Sequence, residues 1–494
     1  NVTYAMHEII GGGIAVFDYD RDGKLDLLQV RFPPPSQFGT TSPNLLFKQQ
    51  ADGTFLDVTR ESQLGDSGHG QGVAIGDTDN DGDLDVYFAN FGHDAFYRNN
   101  GDGTFLDATS SSGFSSSEWS TSATFFDYDR DNDLDLYVTH YVEYDPTNIC
   151  RGDHGLQDYC NPQVFEGTQD SLYRNNGDGT FTNVTSAAGI TTLARGLGIV
   201  CTDLTEDGWP DLYVANDGEA NQLWVNQGNG EFVDEAIIRG VAFNSYGQPE
   251  GSMGVTVGDV NGDQKLDLFM THLTGETNTL YTASEYEIFL DATDTSGFSG
   301  IDSPFTGFGC GFFDFDNDAD EDIYVISGFL DIRQVNNPEK QENLLLRNEL
   351  DGTFVNASLW SGIDDIGYGR GAAYLDYDRD GCLDLFFVNY QSEAGLYQNA
   401  CNSGNSWISL KTIGTTSNRD GIGARIKISA GGVSQIREIR AGSSSMSQNT
   451  SIAHFGLGLQ ETVKTIEITW PSGLVQKLSD VEANQILQVM EPTP

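Results

Sequence analysis

Apolar residues in this chain come in short runs, such as "LDLLQV" (25–30), "LDVYFAN" (84–90) and "LDLYVTH" (134–140). Gly/Asn/Asp clusters separate them, and no long amphipathic helical period is present. Two phrases recur. A Gly-rich apolar stretch runs into an aspartate-rich phrase and then into a second apolar run. After a variable loop comes a stretch like "LFKQQADGTFLDVT" (46–59), "FYRNNGDGTFLDAT" (96–109) or "LYRNNGDGTFTNVT" (172–185). The Asn/Asp-Gly pairs are hairpin turns. The unit therefore reads as four antiparallel strands, A to D, repeating about every 60 residues. Four strands per repeat is a propeller blade.

The expected fold is all-β: a seven-bladed β-propeller over 1–403, followed by a small β-sandwich-like domain over 404–494. In the second part "SWISLKTIG", "ARIKIS", "SQIREIRAG", "TVKTIEITW" and "QILQVM" alternate like strands. Six repeats end in a strand D that starts at Phe55, Phe105, Phe181, Phe232, Phe289 or Phe354. The seventh runs from "GLYQN" into "ACNSGNSWISL" without one. The opening "NVTYAMHEII" matches "NVTSAAGI" at 183–190, so residues 1–5 are expected to supply the outer strand of blade seven and remove an open sheet edge.

The aspartate phrase carries the chemistry. Its positions 1, 3, 5, 7 and 9 are Asp18, Asp20, Asp22, Lys24 and Asp26 in blade one, and Asp77, Asp79, Asp81, Asp83 and Asp85 in blade two. Blade three has Asp127, Asp129, Asp131, Asp133 and Asp135; blade four has Asp203, Thr205, Asp207, Trp209 and Asp211. Blade five has Asp259, Asn261, Asp263, Lys265 and Asp267; blade six has Asp314, Asp316, Asp318, Asp320 and Asp322. Blade seven has Asp376, Asp378, Asp380, Cys382 and Asp384. Position 7 varies freely, as it would if only its backbone carbonyl were used. Oxygens at this spacing suit calcium, about one ion per blade; the phrase resembles the start of an EF-hand loop, with no flanking helices. The competing explanation is that Asp/Gly-rich turns are simply good turns. Seven copies at one spacing favour the metal. Thr205 and Asn261 each remove a charge at position 3, so sites four and five are expected to be the weakest. Gln264 and Ala319 replace glycine at position 6 and should strain the turn.

Net charge is −49, from 74 acidic and 25 basic residues. Nucleic acid is excluded as a partner, since it requires a basic footprint. No apolar run is long enough for membrane insertion. The chain opens on Asn1 and reads as mature or trimmed. Of six cysteines, Cys150 pairs with Cys160 and Cys382 with Cys401 in this reading, while Cys201 and Cys310 stay free. Disulfides and calcium loops both point to a secreted or periplasmic location.

The segment "SNRDGIGARIKI" (417–428), followed by "HFGLG" (454–458) and "WPSG" (470–473), resembles an ASPIC/UnbV domain. The repeats resemble FG-GAP, or VCBS-type, repeats similar to the integrin alpha propeller; "RGLGIVCTDLTEDGWPDLYVAND" (195–217) and "GSMGVTVGDVNGD" (251–263) are further matches. The combination resembles the cartilage acidic protein family, which has animal and bacterial members. The resemblance implies a secreted calcium-binding propeller and says little about activity.

A ligand is expected on the face formed by the D–A and B–C connectors, which carries the variable loops 31–43, 140–170, 272–278 and 328–341. His69, His140, His272, Arg195, Arg370 and Glu250 map to it or to the channel mouth. Two readings stand for them. One is a second site, for a transition metal or an acid/base group; the other is polar residues that long loops collect. The leading function is a binding or adhesion scaffold for an extracellular protein or glycan. The alternative is an extracytoplasmic enzyme acting on a small molecule, polysaccharide or secondary metabolite at the same mouth. No HExxH, GxSxG or P-loop supports the alternative.

Overall fold

The computed structural model describes residues 4–31, 43–152, 155, 157–330, 341–350, 352–363, 365–390 and 392–493. The aspartate phrases organise the strands. Every strand A stops just before position 1 of its phrase: Ile14–Phe17, His69–Gly76, Ser120–Phe126, Gly196–Thr202, Val255–Gly258, Gly307–Phe313 and Gly369–Leu375. Every strand B begins on the aspartate at position 9: Asp26–Gln29, Asp85–Phe91, Asp135–His140, Asp211–Glu219, Asp267–Met270, Asp322–Ser327 and Asp384–Asn389. Strands C follow at Leu45–Gln49, Ala95–Asn99, Ser171–Asn175, Gln222–Asn226, Thr279–Ala283, Leu344–Asn348 and Gly395–Tyr397. Strands D are Phe55–Asp57, Phe105–Asp107, Phe181–Asn183, Phe232–Asp234, Phe289–Asp291 and Phe354–Asn356. Each set pairs antiparallel in the order A-B-C-D.

Consecutive A strands touch around a ring, and the first also touches the last, so the fold is an all-β propeller with A strands innermost. Glycine permits the close approach at the axis. A Cβ on Gly72 would lie 2.2 Å from the Thr121 carbonyl oxygen, and one on Gly254 2.1 Å from that of Phe308. Outward from the axis, aromatic and aliphatic side chains of neighbouring blades interleave; Phe105 packs in one buried cluster with Tyr19, Val86 and Tyr97.

Blade seven differs from the expectation. Among the described residues its sheet has three strands, A-B-C. Asn1–Thr3 lie outside the described residues. Tyr4 and Ala5 join no strand, and the Tyr4 ring packs edge-on against Tyr159, 5.4 Å between centroids. The next residues, Met6–Glu8, form a buried 3₁₀ turn.

The C-terminal part forms two sheets. Ser406–Ile413 pairs antiparallel with Ala453–Gly458 and parallel with Gln485–Met490; Val433–Glu438, Arg425–Ala430, Thr462–Thr469 and Val475–Glu482 make the other. They sit on the aspartate-loop face: Arg419 N–H donates to Asn80 (2.9 Å), Asp77 N–H to Asp420 (3.0 Å), Arg425 to Glu206 (3.2 Å), and Arg437 pairs with Glu321 (3.2 Å). One buried cluster runs continuously from Ile408, Ile426 and Phe455 into Phe96, Phe125 and Tyr173 of the blades.

Between these sheets the chain sends a finger, "SSSMSQN" (443–449), down the central channel. Ser444 exchanges backbone hydrogen bonds with Val255 (2.8 and 3.1 Å), and Gln448 does so with Ile14 and Val16 (2.8 and 3.2 Å). The Gln448 amide accepts from Ile75 N–H (2.7 Å) and donates to Ile75 C=O (3.0 Å). Met446 at the tip joins Met6, Ile9, Ile10, Trp119, Met253 and Phe308 in a buried cluster at the far mouth. The inner strands thus find partners for groups that a water-filled channel would otherwise solvate.

Candidate functional site

The seven aspartate loops share one backbone shape. Position 4 is left-handed in every blade, including Arg21 (φ 56°), Asn80 (59°), Glu206 (57°) and Arg379 (60°). Position 6 is left-handed too. Glycine meets this at no cost in four blades, whereas Asn132 (75°), Gln264 (70°) and Ala319 (87°) adopt it against their side-chain preference. The strain expected at Gln264 and Ala319 is present.

Backbone amides orient the carboxylates. Position 1 accepts the N–H of position 6, as Asp18 does from Gly23 (2.9 Å) and Asp77 from Gly82 (2.7 Å). Position 5 accepts the N–H of position 7, as Asp81 does from Asp83 (2.8 Å). Position 9 has both oxygens engaged. Asp135 accepts from Tyr128 N–H (3.0 Å) and from Asn175 N–H on strand C (2.8 Å), and the same pair of bonds recurs in all seven blades. The position-9 aspartates are therefore loop-to-strand staples as well as candidate ligands.

The remaining oxygens converge. Single ligand atoms of Asp18, Asp20 and Asp22 lie within 4.8 Å of one another, as do those of Asp77, Asp79 and Asp81, of Asp127, Asp129 and Asp135, and of Asp314, Asp316 and Asp322. Buried oxygens without a hydrogen bond among the described residues cluster at the same loops: Asp18 Oδ1, Asp20 Oδ1, Asp129 Oδ1, Thr205 Oγ1, Asp259 Oδ1, Asp316 Oδ1, Asp320 Oδ1 and Asp376 Oδ1. A buried unpaired carboxylate oxygen is costly, so each demands a cation or a proton. Burial first, and neighbouring aspartates second, push Asp127 up to about 7, and Asp77, where Asp420 is the first charged neighbour, up to about 8. For Asp85, burial outweighs the opposing Thr78 and Asn99 hydrogen bonds and raises it to about 7. The donor set is all oxygen and largely carboxylate, the chemistry of a hard divalent cation. Blade one carries a competitor, because the Lys48 ammonium pairs with Asp20 and Asp22. In blade seven, Cys382 and Cys401 form a disulfide and so offer no thiolate; Cys150–Cys160 is the second disulfide, and Cys201 and Cys310 are free and buried.

Sequence reasoning missed the asparagine that ends strand C. Asn175 Nδ2 donates to Thr78 C=O in the preceding blade's loop (2.8 Å) and to Leu134 C=O in its own (3.1 Å). Asn99, Asn226, Asn348 and Asn399 repeat this bridge, and Gln49 reaches Tyr377 C=O (2.6 Å); blade five has Ala283 at this position and makes none. The "YRNN" phrase carried the signal.

At the opposite mouth, the six residues expected to converge are spread over blades two, three, four, five and seven. His140 is fully buried between Ser120 (3.2 Å) and Ser171 (3.0 Å). His272 contacts Thr279 (3.1 Å) and Glu250 (3.5 Å), and Glu250 also accepts from Asn244 (3.0 Å). His69 packs edge-on to His7, 4.7 Å between centroids, and His7 stacks on Phe91 at 4.0 Å. Burial lowers His69, His140 and His272 to about 4, so all three are neutral near pH 7. Arg195 is tied to Glu219 and to the carbonyls of Pro162 and Phe165. Arg370 is buried over the Phe308 ring (4.2 Å) and donates to Ile9 C=O (2.9 Å). The expected acid/base or transition-metal constellation does not assemble. The chain follows packing instead: each polar group is engaged by its own structural neighbours.

What the mouth holds is a cleft of about 450 Å³. Its floor is Ile9, Met253, Phe308 and Met446; its walls include Tyr141, Tyr159, Gln163, Asp217 and Glu276. Asp217 accepts from the Tyr141 hydroxyl (2.5 Å), and burial raises it to about 6. The 140–170 insertion, pinned by Cys150–Cys160, forms one wall. Of the other expected variable loops, 32–42 and 331–340 lie outside the described residues.

Inner-strand closure, repeated acidic loops and a second β unit seated on the loop face define a propeller of FG-GAP-like repeats. The FG-GAP-like repeat family matches residues 18–88, 77–138, 161–214 and 203–270, and the ASPIC and UnbV family matches 414–494. The chain is similar to cartilage acidic protein 1 over most of its length. It is 24% identical to the Mus musculus protein over 508 residues, covering 97% of this chain and 74% of the mouse one. The Xenopus tropicalis protein is 25% identical, with 97% and 73% covered. Among solved structures, an Agrocybe aegerita lectin that recognises N-acetylglucosamine aligns with TM-score 0.42 and 16% identity over 78% of this chain and 86% of its own. A Bacillus licheniformis rhamnogalacturonan lyase aligns with TM-score 0.40 and 12% identity, over 79% and 72%. Among the described residues no helix is long and apolar enough to cross a membrane.

Proposed function

We propose that the protein is a secreted, calcium-stabilised propeller that acts as a binding scaffold for an extracellular protein or glycan through the face formed by its D–A and B–C loops. The single observation that carries the calcium reading is the set of buried, unpartnered carboxylate oxygens converging at the loops. Calcium would be held by positions 1, 3, 5 and 9 with the carbonyl of position 7, about one ion per blade. Its free energy of binding would add to folding. Two disulfides support an oxidising location, and the similarity to proteins named for cartilage is in keeping with one outside the cell.

The binding reading is supported by the mouth cleft, whose apolar floor is ringed by tyrosines and carboxylates while the polar groups around it are already consumed by structure. The test has two parts. Elemental mass spectrometry on protein purified in calcium should find several ions per chain, and chelation should lower the melting temperature. Glycan and extracellular-protein arrays should then give a ligand whose binding is lost in Tyr159→Ala and Gln163→Ala at unchanged melting temperature. Absence of calcium sinks the first reading. Binding indifferent to both substitutions sinks the second.

A further inference from the structure

Departures from the blade repeat meet at the outer rim, on the seam between blades four and five. The first is in the turn from strand C to strand D. Blades one, two, three and six read Asp-Gly-Thr there, before the strand-D phenylalanine, and blade four reads Asn-Gly-Glu. The aspartate caps the turn: Asp102 accepts from the Thr104 N–H (3.1 Å) and hydroxyl (2.6 Å). The glycine is left-handed, as at Gly103 (φ 84°). Blade five keeps the turn, with Ser284 N–H donating to Ile288 C=O (3.0 Å), but reads Tyr286-Glu287-Ile288. The aspartate cap is lost, and Glu287 holds the left-handed position (φ 57°) against its side-chain preference.

The second departure is in the helical turn after strand D of blade four, Ala236–Arg239. Ile237 and Ile238 stand where blades one, two, three and five carry Arg60-Glu61, Ser110-Ser111, Ser186-Ala187 and Asp294-Thr295. Blade six has Leu359-Trp360, but there the Trp360 ring is engaged by Phe315 (6.1 Å) and Arg347 (5.7 Å). The third departure is Arg239, at the position of Ser62, Ser112, Ala188 and Ser296. It ties the other two together, pairing with Glu235 (2.7 Å) and donating to the Glu287 carbonyl (2.9 Å). The fold gains little from the apolar groups so placed: Ile237 is 73%, Ile238 70% and Tyr286 81% exposed, with Ile288 and Leu290 exposed beside them. A lone exposed apolar side chain is ordinary, but a group assembled by coupled departures from a repeat is not. Exposed carboxylates flank it, Glu231, Asp234, Glu285 and Glu287, and the single cation of segments 231–240 and 284–290, Arg239, is engaged by Glu235 and Glu287.

We propose that this rim patch docks a basic amphipathic segment of a partner polypeptide. The partner's apolar side chains cover Ile237, Ile238, Tyr286 and Ile288, and its lysines or arginines meet the flanking carboxylates. Charge complementarity sets the sign of the partner: a second copy would bring the same carboxylates against each other, and nucleic acid or anionic lipid would be repelled. The patch shares no residue with the mouth cleft, so this contact does not rest on the reading given to that cleft.

The probe is a Leu/Lys peptide with leucines at i, i+3, i+4 and i+7 and a photo-crosslinking group, titrated into the full chain in calcium; a scrambled peptide of the same composition is the control. The expected result is saturable binding, roughly tenfold or more tighter than that of the scrambled peptide, with crosslinks on 231–240 and 284–290. Ile237→Ser, Ile238→Ser, Tyr286→Asp and Ile288→Thr together return the patch to residues that blade two carries. That variant should bind roughly tenfold or more weakly although it gains a negative charge, at an unchanged or higher melting temperature, because the turn recovers its cap. Should it fold poorly, Ile238→Ser alone, at an exposed position, carries the same test. Glu231→Gln with Glu285→Gln should also weaken binding, and so should added salt. Equal binding of the scrambled peptide, crosslinks spread over the aspartate loops, or indifference to these substitutions overturns the proposal. So does a lower melting temperature of the restored variant with binding unchanged, since the departures would then serve the seam itself. Self-association that is lost in the same variant overturns it too, since the occupant would then be a second copy.

Discussion

Replacing Gln448 tests whether the finger from the C-terminal sheets is a structural part of the propeller. Its side-chain amide satisfies both backbone groups of Ile75, at 2.7 and 3.0 Å, inside a channel where Gln448 is 5% and Ile75 2% exposed. In Gln448→Ala both groups lose their partner. An orphaned buried donor or acceptor costs about 1–3 kcal/mol, so the pair costs about 2–6 kcal/mol if the finger does not re-pack. Gln448→Glu keeps an acceptor for the Ile75 N–H but sets a carboxylate against the Ile75 carbonyl, and is expected to be at least as damaging. Two-state heat unfolding is a property of small single domains, so the decisive assay for a chain this long is native-state hydrogen exchange of the 73–77 segment, with melting as a second read. A local loss of 2 kcal/mol accelerates exchange there roughly thirtyfold (about 1.4 kcal/mol per decade). Unchanged protection, with a melting temperature within a degree of the parent, would refute the plugged channel.

Three further outcomes follow from the loops and the C-terminal sheets. In the metal-free protein, Asp77, Asp267 and Asp384 stand near 8 and Asp85 near 7, mainly through burial. A folded-state value raised above the unfolded one stabilises below the unfolded value and is lost as pH rises through the folded one. Chelated protein should therefore melt progressively lower between pH 5.5 and 8.5, and calcium-loaded protein should not; a flat chelated profile contradicts the charge argument. Asn175→Ala leaves the Thr78 and Leu134 carbonyls without their donor and should cost about 1–3 kcal/mol in denaturant melts, with disulfides and calcium retained. Glu491 is pushed up by burial but held down more strongly, to about 2, by the Ser472 hydroxyl and the amides of Thr415, Thr416 and Ser417. Its contribution is present above the unfolded carboxylate value and is lost as pH falls toward 2, so Glu491→Gln should flatten the acid limb of the stability curve.

What the sequence discloses divides along a physical line. Strand type, loop position and disulfide pairing rest on local spacing. Asp18 through Asp26 need only nine residues to form a loop, and Cys150 meets Cys160 across a short insertion. These are legible because the side chains that interact are neighbours in sequence or repeat at a fixed interval. The Asn175-type bridge was equally periodic and was overlooked because asparagine before glycine also reads as a turn residue; only its reach to the preceding blade separates the two roles. The finger is a different case. "SSSMSQN" has no apolar period and reads as a surface loop, yet its serine hydroxyls and the Gln448 amide are the groups that inner strands packed against glycine can accept in so narrow a space. The same limit governs the N-terminal segment: Met6, Ile9 and Ile10 read as ordinary apolar positions, yet they pack at the mouth, where Met446 arrives from far along the chain. The histidines fail as a site for a related reason. Their loops share a face, but a face is not a contact, and each ring is satisfied by Ser120, Thr279 or an aromatic neighbour before it can reach another. Contacts between elements far apart in sequence decide these cases, and no spacing rule encodes them.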